Sequence, residues 1–305
     1  MKRAAAIDVG SGSVKLYVGE RTENGTFAFC DVLDKNAMTR LGEGLRETGS
    51  LSDAAIVRTA RAVAAFAQEA REAGAERIAC VGTMALREAA NAAEFARAVH
   101  AECGLQCCVL PGEEEARLCF AAACGREETL SVDSGGGSTE FALGREGVPL
   151  RRVSLPIGAI NVTERFLAAD ASEKQVREAR AFIRKQLEES GMTLPAGARL
   201  VATGGTATTM AAVMTALAPY DPEKIRGLRV AVEEAERQVA LYTALPVAER
   251  AKLTGMHAGR EDVILGGTCI LAETLAFFGA SGMTVSDRGL RHGIVRAILV
   301  KDEQF

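Results

Sequence analysis

The strongest constraint on this chain is that it carries one short pattern twice. The segment IDVGSGSVKLYVG begins at Ile7, and VDSGGGSTEFALG begins at Val132. Laid over one another without a gap, they agree at five of thirteen positions: Asp8 with Asp133, Gly10 with Gly135, Gly12 with Gly137, Ser13 with Ser138, and Gly19 with Gly144. In each copy a short apolar run ends in Asp, passes a Gly/Ser turn and continues as a second apolar run, which reads as strand, tight turn, strand. Glycine is expected there to permit positive φ and to let backbone N–H groups approach a ligand closely. Clustered N–H groups form a nest for anions. The Asp cannot hold phosphate itself, but it can hold a cation that does. An ordinary Gly-rich hairpin accounts for one copy. Two copies with Asp in register point to phosphate, and two such hairpins facing across a cleft would make a phosphate–metal clamp. No Walker loop and no G-x-G-x-x-G competes with this reading.

Between and after the hairpins, apolar periodicity alternates between strand and helix. TFAFCDVLDKNAMTRLG reads as a third strand and loop, Leu51–Gly74 as a helix capped by Ser52, and 77–83 as a buried strand. Residues 89–103 read as a helix, 105–110 as a strand and 113–123 as a helix behind Pro111-Gly112. The order repeats from about residue 126. A strand at 150–155, a helix at 172–190 capped by Ser172, a strand at 200–203 and a helix at about 207–217 follow. Helices at 232–244 and 262–278, a strand at 283–286 and a helix at 290–301 complete the chain. This is an α/β duplication with a helix-covered sheet in each half. The halves are expected at 1–124 and 125–305, the boundary lying between Cys119 and Glu128, with the terminal helix (about 291–305) free to pack back on the first half.

Composition narrows the function. The chain has 305 residues, enough for two cores, and a net charge of −4 that offers nucleic acid or an anionic membrane no global attraction. No run approaches the roughly 20 apolar residues of a membrane span. MKRAAAIDVG leads straight into the first hairpin, so no signal peptide is expected. The eight cysteines form no C-x-x-C pair and have three histidines for company, so they read as reduced thiols rather than zinc ligands, and a cytoplasmic location is expected.

Hydrolysis of a phosphate needs charge neutralisation, a water in line, and a base for its proton. Asp8 and Asp133 are candidates for Mg²⁺. Gly10, Ser11, Gly12, Ser13, Lys15, Ser138 and the glycine N–H groups are candidates for phosphate, and Glu140 can join the metal shell or orient water. GEEEAR (112–117) puts three glutamates at a helix start, where the macrodipole favours carboxylates whether or not one is a base. Arg87 reads either as a fixed fork for phosphate or as a surface helix arginine. Gly204, Gly205 and Thr206, opening GGTATT, either bind a nucleotide or phosphate or merely cap their helix. His100, His257 and His292 have no spacing suited to a triad or metal and read as structural or surface residues.

In order, IDVGSGSVKL, TMALREAAN, PGEEEARL, VDSGGGSTE, SLPIGA, ATGGTAT and SDRGLRHG resemble the exopolyphosphatase / guanosine pentaphosphate phosphatase family over essentially the whole chain. The resemblance implies the actin, sugar-kinase and heat-shock-ATPase superfamily, with two ribonuclease-H-like domains around a central cleft. It implies Glu115 as catalytic base, Asp133 and Glu140 as metal and water-positioning carboxylates, and Asp8 as the carboxylate of the first loop. It further implies Arg87 in substrate binding and Gly135, Gly136, Gly137 and Ser138 as the second phosphate loop. The chain departs from the family's usual Asn at Gly12, Arg at Lys15 and Glu at His292, which bears on substrate preference more than reaction class. Ending near residue 305, it resembles the short form, which lacks a C-terminal helical domain; shorter substrates or lower processivity are expected. The implied activity is Mg²⁺-dependent release of terminal phosphate from inorganic polyphosphate. The alternatives are the 5′-phosphate of pppGpp, with GGTATT on the nucleoside, or a low-turnover sensor of either ligand; a kinase fits poorly. Oligomeric state is left open, a homodimer included.

Overall fold

A computed structural model describes residues 2–21, 29–167 and 171–305. Residues 26–28, which open the expected third strand, lie outside the described residues. The chain divides into two compact units, Met1–Ala122 with Leu290–Phe305, and Ala123–Gly289.

The first unit contains β1 (Arg3–Val9), β2 (Ser13–Glu20), β3 (Cys30–Met38), α1 (Leu45–Thr48), α2 (Asp53–Glu72), β4 (Arg77–Gly82), α3 (Met84–Glu88), α4 (Ala92–Cys103), β5 (Cys107–Val109) and α5 (Gly112–Ala123). Its sheet runs β3-β2-β1-β4-β5. β1, β2 and β3 form an antiparallel meander, while β4 and β5 join parallel to β1 through helical crossovers. This is the ribonuclease-H-like order. The central strand β1 is buried on both faces and therefore nearly all apolar. With a side-chain period of two, Ala5, Ile7 and Val9 pack in the core with α2 and α4, whereas Ala4 and Ala6 pack on the other face with α5 and the terminal helix. Asp8 shares the parity of Ala4 and Ala6.

The second unit contains β6 (Thr129–Ser134), β7 (Thr139–Arg145), β8 (Val148–Leu155), α6 (Ala159–Phe166), α7 (Glu173–Glu189), β9 (Arg199–Thr203), α8 (Gly204–Met214), α9 (Pro222–Ile225), β10 (Arg229–Ala231), α10 (Val232–Ala244), α11 (Val247–Arg250), α12 (Ile264–Phe278) and β11 (Gly282–Val285). Its sheet, β10-β11-β9-β6-β7-β8, repeats the meander and parallel crossover with an added edge strand. The fold is thus α/β, with one mixed sheet per unit. Helix α12 is largely apolar and buried from Ile264 to Leu275, its one carboxylate, Glu273, being ion-paired with Arg180 and Arg184. Gly266 of this helix touches Ala159 and Thr163 of α6, and Gly267 touches Thr206 of α8, so two adjacent glycines let both helices pack closely. The last helix, α13 (Leu290–Lys301), packs on β1 and β2 of the first unit, with Gly293 against the Leu118 backbone of α5.

The structure corrects several local expectations. The helix expected over 89–103 starts late, at Ala92, and a separate short helix, α3, precedes it across a break at 89–91. The side chain of Asn91 accepts from Leu51 N at 2.8 Å and donates to Leu51 O at 3.0 Å, and Ala90 N donates to Gly49 O. Tertiary hydrogen bonds therefore outweigh local helix propensity. The strand expected at 105–110 shortens to 107–109. The helix expected from about 207 begins at Gly204, so the glycines form its first turn. Helix α6 was not anticipated.

Candidate active site

Both Gly/Ser turns have the same backbone. Gly10 N donates to Ser13 O, and Gly135 N donates to Ser138 O, each at 3.0 Å. A Cβ on Gly10 or Gly135 would sit 3.2 or 3.1 Å from that carbonyl oxygen. The expectation of positive φ is corrected: none of Gly10, Gly12, Gly135, Gly136 and Gly137 adopts it. At Gly10 and Gly135, glycine relieves crowding within the turn instead.

In the second unit, α6 takes up the loop's carbonyls. Ala159 N donates to Gly135 O (3.0 Å), Ile160 N to Gly136 O (2.8 Å) and Asn161 Nδ2 to Gly137 O (2.7 Å). In a trans peptide the C=O and the following N–H point in opposite directions. The N–H groups of Gly136, Gly137 and Ser138 therefore face away from α6, in the manner of an anion nest. The first loop is held by different partners. Gly42 N donates to Ser11 O (2.9 Å), and Thr39 N and Arg40 N donate to Gly12 O (3.0 and 2.8 Å). Ser11, Ser13 and Ser138 are buried, and Lys15 is half-buried.

The two Asp residues differ in what lies across the sheet from them. Asp8 is in register with Lys15, and their side chains form an ion pair at 3.8 Å; its parallel neighbour is Val81. Asp133 is in register with Glu140 on one side and Thr203 on the other, and Glu140 is in register with Ser154. Four polar side chains thus cross β8-β7-β6-β9 in one row. Ser154 Oγ donates to Glu140 Oε1 at 2.7 Å. Glu140 is buried and Asp133 half-buried. Two copies of one motif have become a charge-balanced pair in the first unit and a carboxylate pair in the second.

Helix α5 separates the three glutamates. Glu113 is exposed, Glu114 is bound by Arg117 at 2.6 Å, and Glu115 is buried. Arg87, half-buried on α3, forms an ion pair with Glu115 through Nη1, which also donates to Leu110 O at 2.7 Å. The Glu115 and Arg87 side chains are thereby brought together from the ends of neighbouring parallel strands.

Gly204 has φ +90, and a Cβ there would lie 2.9 Å from Asp133 Oδ1. Gly205 lies under the Arg260 guanidinium, and Thr206 is buried against Gly267. Next to this turn, His257 Nδ1 lies 2.9 Å from Thr209 Oγ1, and the His257 ring meets Tyr220 edge-on at 4.6 Å. Burial, with Arg260 adding to it, pushes the His257 imidazole down to about 4. His292 is fully buried beside Asp34 (3.4 Å) and Tyr17, while His100 is exposed. Sequence reasoning missed Ser154, Asn161, Thr203 and Arg260. SLPIGA, which contains Ser154 and lies just before Asn161, and ATGGT, which contains Thr203, marked the neighbourhood. Among the described residues no three His, Cys, Asp or Glu side chains group as a metal cage, and all eight cysteines are free thiols. No described helix is long and apolar enough to cross a membrane.

The model of the Ppx/GppA phosphatase family matches residues 18–302. The chain is 33% identical to exopolyphosphatase 2 of Mycobacterium tuberculosis over 98% of this chain and 99% of that protein. It is 28% identical to a guanosine-5'-triphosphate,3'-diphosphate pyrophosphatase of Photobacterium profundum over 97% of this chain and 59% of that protein. Among solved structures, an Aquifex aeolicus member of the family is similar with TM-score 0.83 and 32% identity, covering 100% of this chain and 99% of that one. An exopolyphosphatase-like protein is similar with TM-score 0.90 and 29% identity, covering 99% and 100%. The class is therefore that of an enzyme, a phosphohydrolase on a duplicated α/β fold. This chain belongs to the Ppx/GppA phosphatase family.

Proposed function

We propose that the chain is a Mg²⁺-dependent exopolyphosphatase, releasing terminal orthophosphate from inorganic polyphosphate, in the cytoplasm. The observation that supports it most is the state of Glu115: one of three adjacent glutamates, it alone is buried, and it is held by Arg87. A carboxylate so placed can accept the proton of an attacking water. Arg87, a planar fork already near that carboxylate, suits the phosphate that the water attacks. The nests at residues 10–13 and 135–138 present backbone donors to phosphate oxygens.

The donor set fits Mg²⁺. This ion takes one or two carboxylates, water and substrate oxygens rather than a full protein cage, and Asp133 with Glu140 supplies two carboxylates in register. Asp8 is proposed to contribute through water while keeping Lys15 in place. When bound, the ion would neutralise charge developing on the phosphate oxygens. Ser154 orients Glu140 by hydrogen bonding, and Gly204 leaves room beside Asp133.

The test is phosphate release from long-chain polyphosphate by the whole protein, beside an EDTA control and Glu115→Gln. Activity that disappears in both supports the reading; near-normal turnover by the variant refutes Glu115 as base. A second reading, hydrolysis of pppGpp, is favoured by one feature. The Arg260 guanidinium on Gly205, with the His257 and Tyr220 rings beside it, forms a cationic and aromatic surface suited to a nucleotide. Faster release from pppGpp than from polyphosphate would select it.

A further inference from the structure

We propose that Thr203 is a positioning residue of the Asp133–Glu140 centre, its hydroxyl and Asp133 Oδ2 together holding a water in the shell of a divalent cation. The proposal rests on the reading of those carboxylates as the cation's ligands. Thr203 ends β9 in register with Asp133, so both side chains leave the sheet on one face. Its residue is only 1% exposed, and its Oγ1 is buried with no hydrogen-bond partner among the described residues. A buried hydroxyl with no hydrogen-bond partner is destabilising. Valine would fill the same volume, avoid that cost and suit a strand. With no partner among the described residues and in register with Asp133, the hydroxyl is open to a water on the carboxylate face.

The glycine at the end of the second unit shows where that partner sits. A Cβ on Gly289 would lie 3.8 Å from Asp133 Oδ2 and 4.0 Å from Thr203 Oγ1. Both oxygens thus border one small space, kept open by the absence of a side chain at 289. A hydroxyl both donates and accepts, so it can orient a water whose oxygen faces a cation or whose hydrogen faces the carboxylate. On the far side of the pair, Ser154 holds Glu140 directly. The row thus carries a hydroxyl at each end and two carboxylates between. The duplicated row of the first unit has Val81 where Thr203 stands and Lys15 where Glu140 stands, so it lacks both the second carboxylate and this hydroxyl.

The experiment is titration of the whole protein with Mn²⁺, read by the loss of the free-ion electron paramagnetic resonance signal. The variants are Thr203→Val, Thr203→Ala, Thr203→Ser, Asp133→Asn and Ser134→Ala. Ser134 is the control: its hydroxyl is also buried without a partner among the described residues, but one residue along β6 it faces the opposite side. The expected result is affinity about tenfold weaker in Thr203→Val and Thr203→Ala, within about twofold of wild type in Thr203→Ser and Ser134→Ala, and abolished in Asp133→Asn. Thermal melts of each variant establish that it is folded, and Thr203→Ala stands in if valine does not fit. Wild-type affinity in both valine and alanine variants, with Asp133→Asn still deficient, overturns the role of Thr203 alone. Wild-type affinity in Asp133→Asn, or no binding by the native protein, overturns the carboxylate reading and this proposal with it.

Discussion

Substituting Gly158 by alanine should unseat the second phosphate loop without changing any charged residue. Gly158 is the N-cap of α6, with φ −125 and ψ 162, extended backbone that alanine adopts freely. The cost therefore comes from contact. The added Cβ would run into the Gly136 carbonyl and the Gly137 carbonyl carbon, main-chain atoms that cannot rotate aside. Helix α6 has to retreat, stretching the donations of Ala159 N to Gly135 O and Ile160 N to Gly136 O. Overpacking costs about 1–3 kcal/mol, and the two weakened hydrogen bonds add about 1 kcal/mol each. Alanine's lower unfolded-state entropy returns about 0.4–1 kcal/mol. The net loss is about 2–4 kcal/mol, or roughly 5–12 °C in the melting of a unit of this size. Gly147→Ala is the comparison, because Gly147 has φ +71 with nothing within 4 Å of its Cβ position. That variant pays only backbone strain of about 1–2 kcal/mol. Calorimetry of both variants is the assay. If Gly158→Ala melts within about 2 °C of the native protein, or is more stable than Gly147→Ala, the contact argument is refuted.

Arg180 binds Glu236 at 2.7 and 2.8 Å and Glu273 at 2.9 Å, tying α7 to α10 and α12. Arg180→Ala should cost about 2–3 kcal/mol in urea unfolding, less than for a fully buried pair because Glu236 is part-exposed; a loss under about 0.5 kcal/mol would show the network to be idle. For His257, the folded value of about 4 lies below the ordinary 6.5, so the unfolded chain takes up the proton first. Its contribution is full above about pH 7 and is lost as pH falls through 6.5 toward 4. By pH 5 the loss is about 1–2 kcal/mol, allowing for partial exposure, and His257→Gln should flatten that part of the stability–pH curve. Asn161→Ala removes the donor to Gly137 O and should raise KM for phosphate release about three- to tenfold; an unchanged KM would separate α6 from the loop's function.

Local pattern carried much of this fold. The alternation of strand and helix made an α/β duplication legible, and the boundaries of Val232–Ala244 and Leu290–Lys301 follow directly from apolar periodicity and turn residues. The Ser52 and Ser172 caps were equally legible, since a cap depends on residues three positions apart. The family emerged from seven short motifs, each a contiguous string.

By itself, then, the sequence determined the two Asp-ended hairpins, the class of fold and the short list of carboxylates. The resemblance singled out Glu115 among the glutamates; tertiary structure alone decided which carboxylates are buried and what each one faces. That Glu115 rather than Glu113 or Glu114 is buried depends on which face of α5 meets the core and on Arg87, twenty-eight positions away. That Asp8 faces Lys15 while Asp133 faces Glu140 could be read from the hairpins, but Ser154 and Thr203 joined the row only through register with β8 and β9. Turn glycines expected to adopt positive φ proved instead to relieve crowding, and the loop's carbonyls were claimed by a helix whose own packing depends on Gly266. The physical reason is one of range. Periodicity, capping and turn chemistry act over a few residues along the chain, whereas register, burial and hydrogen-bond pairing between distant strands are settled only when the sheet and its helices close on one another.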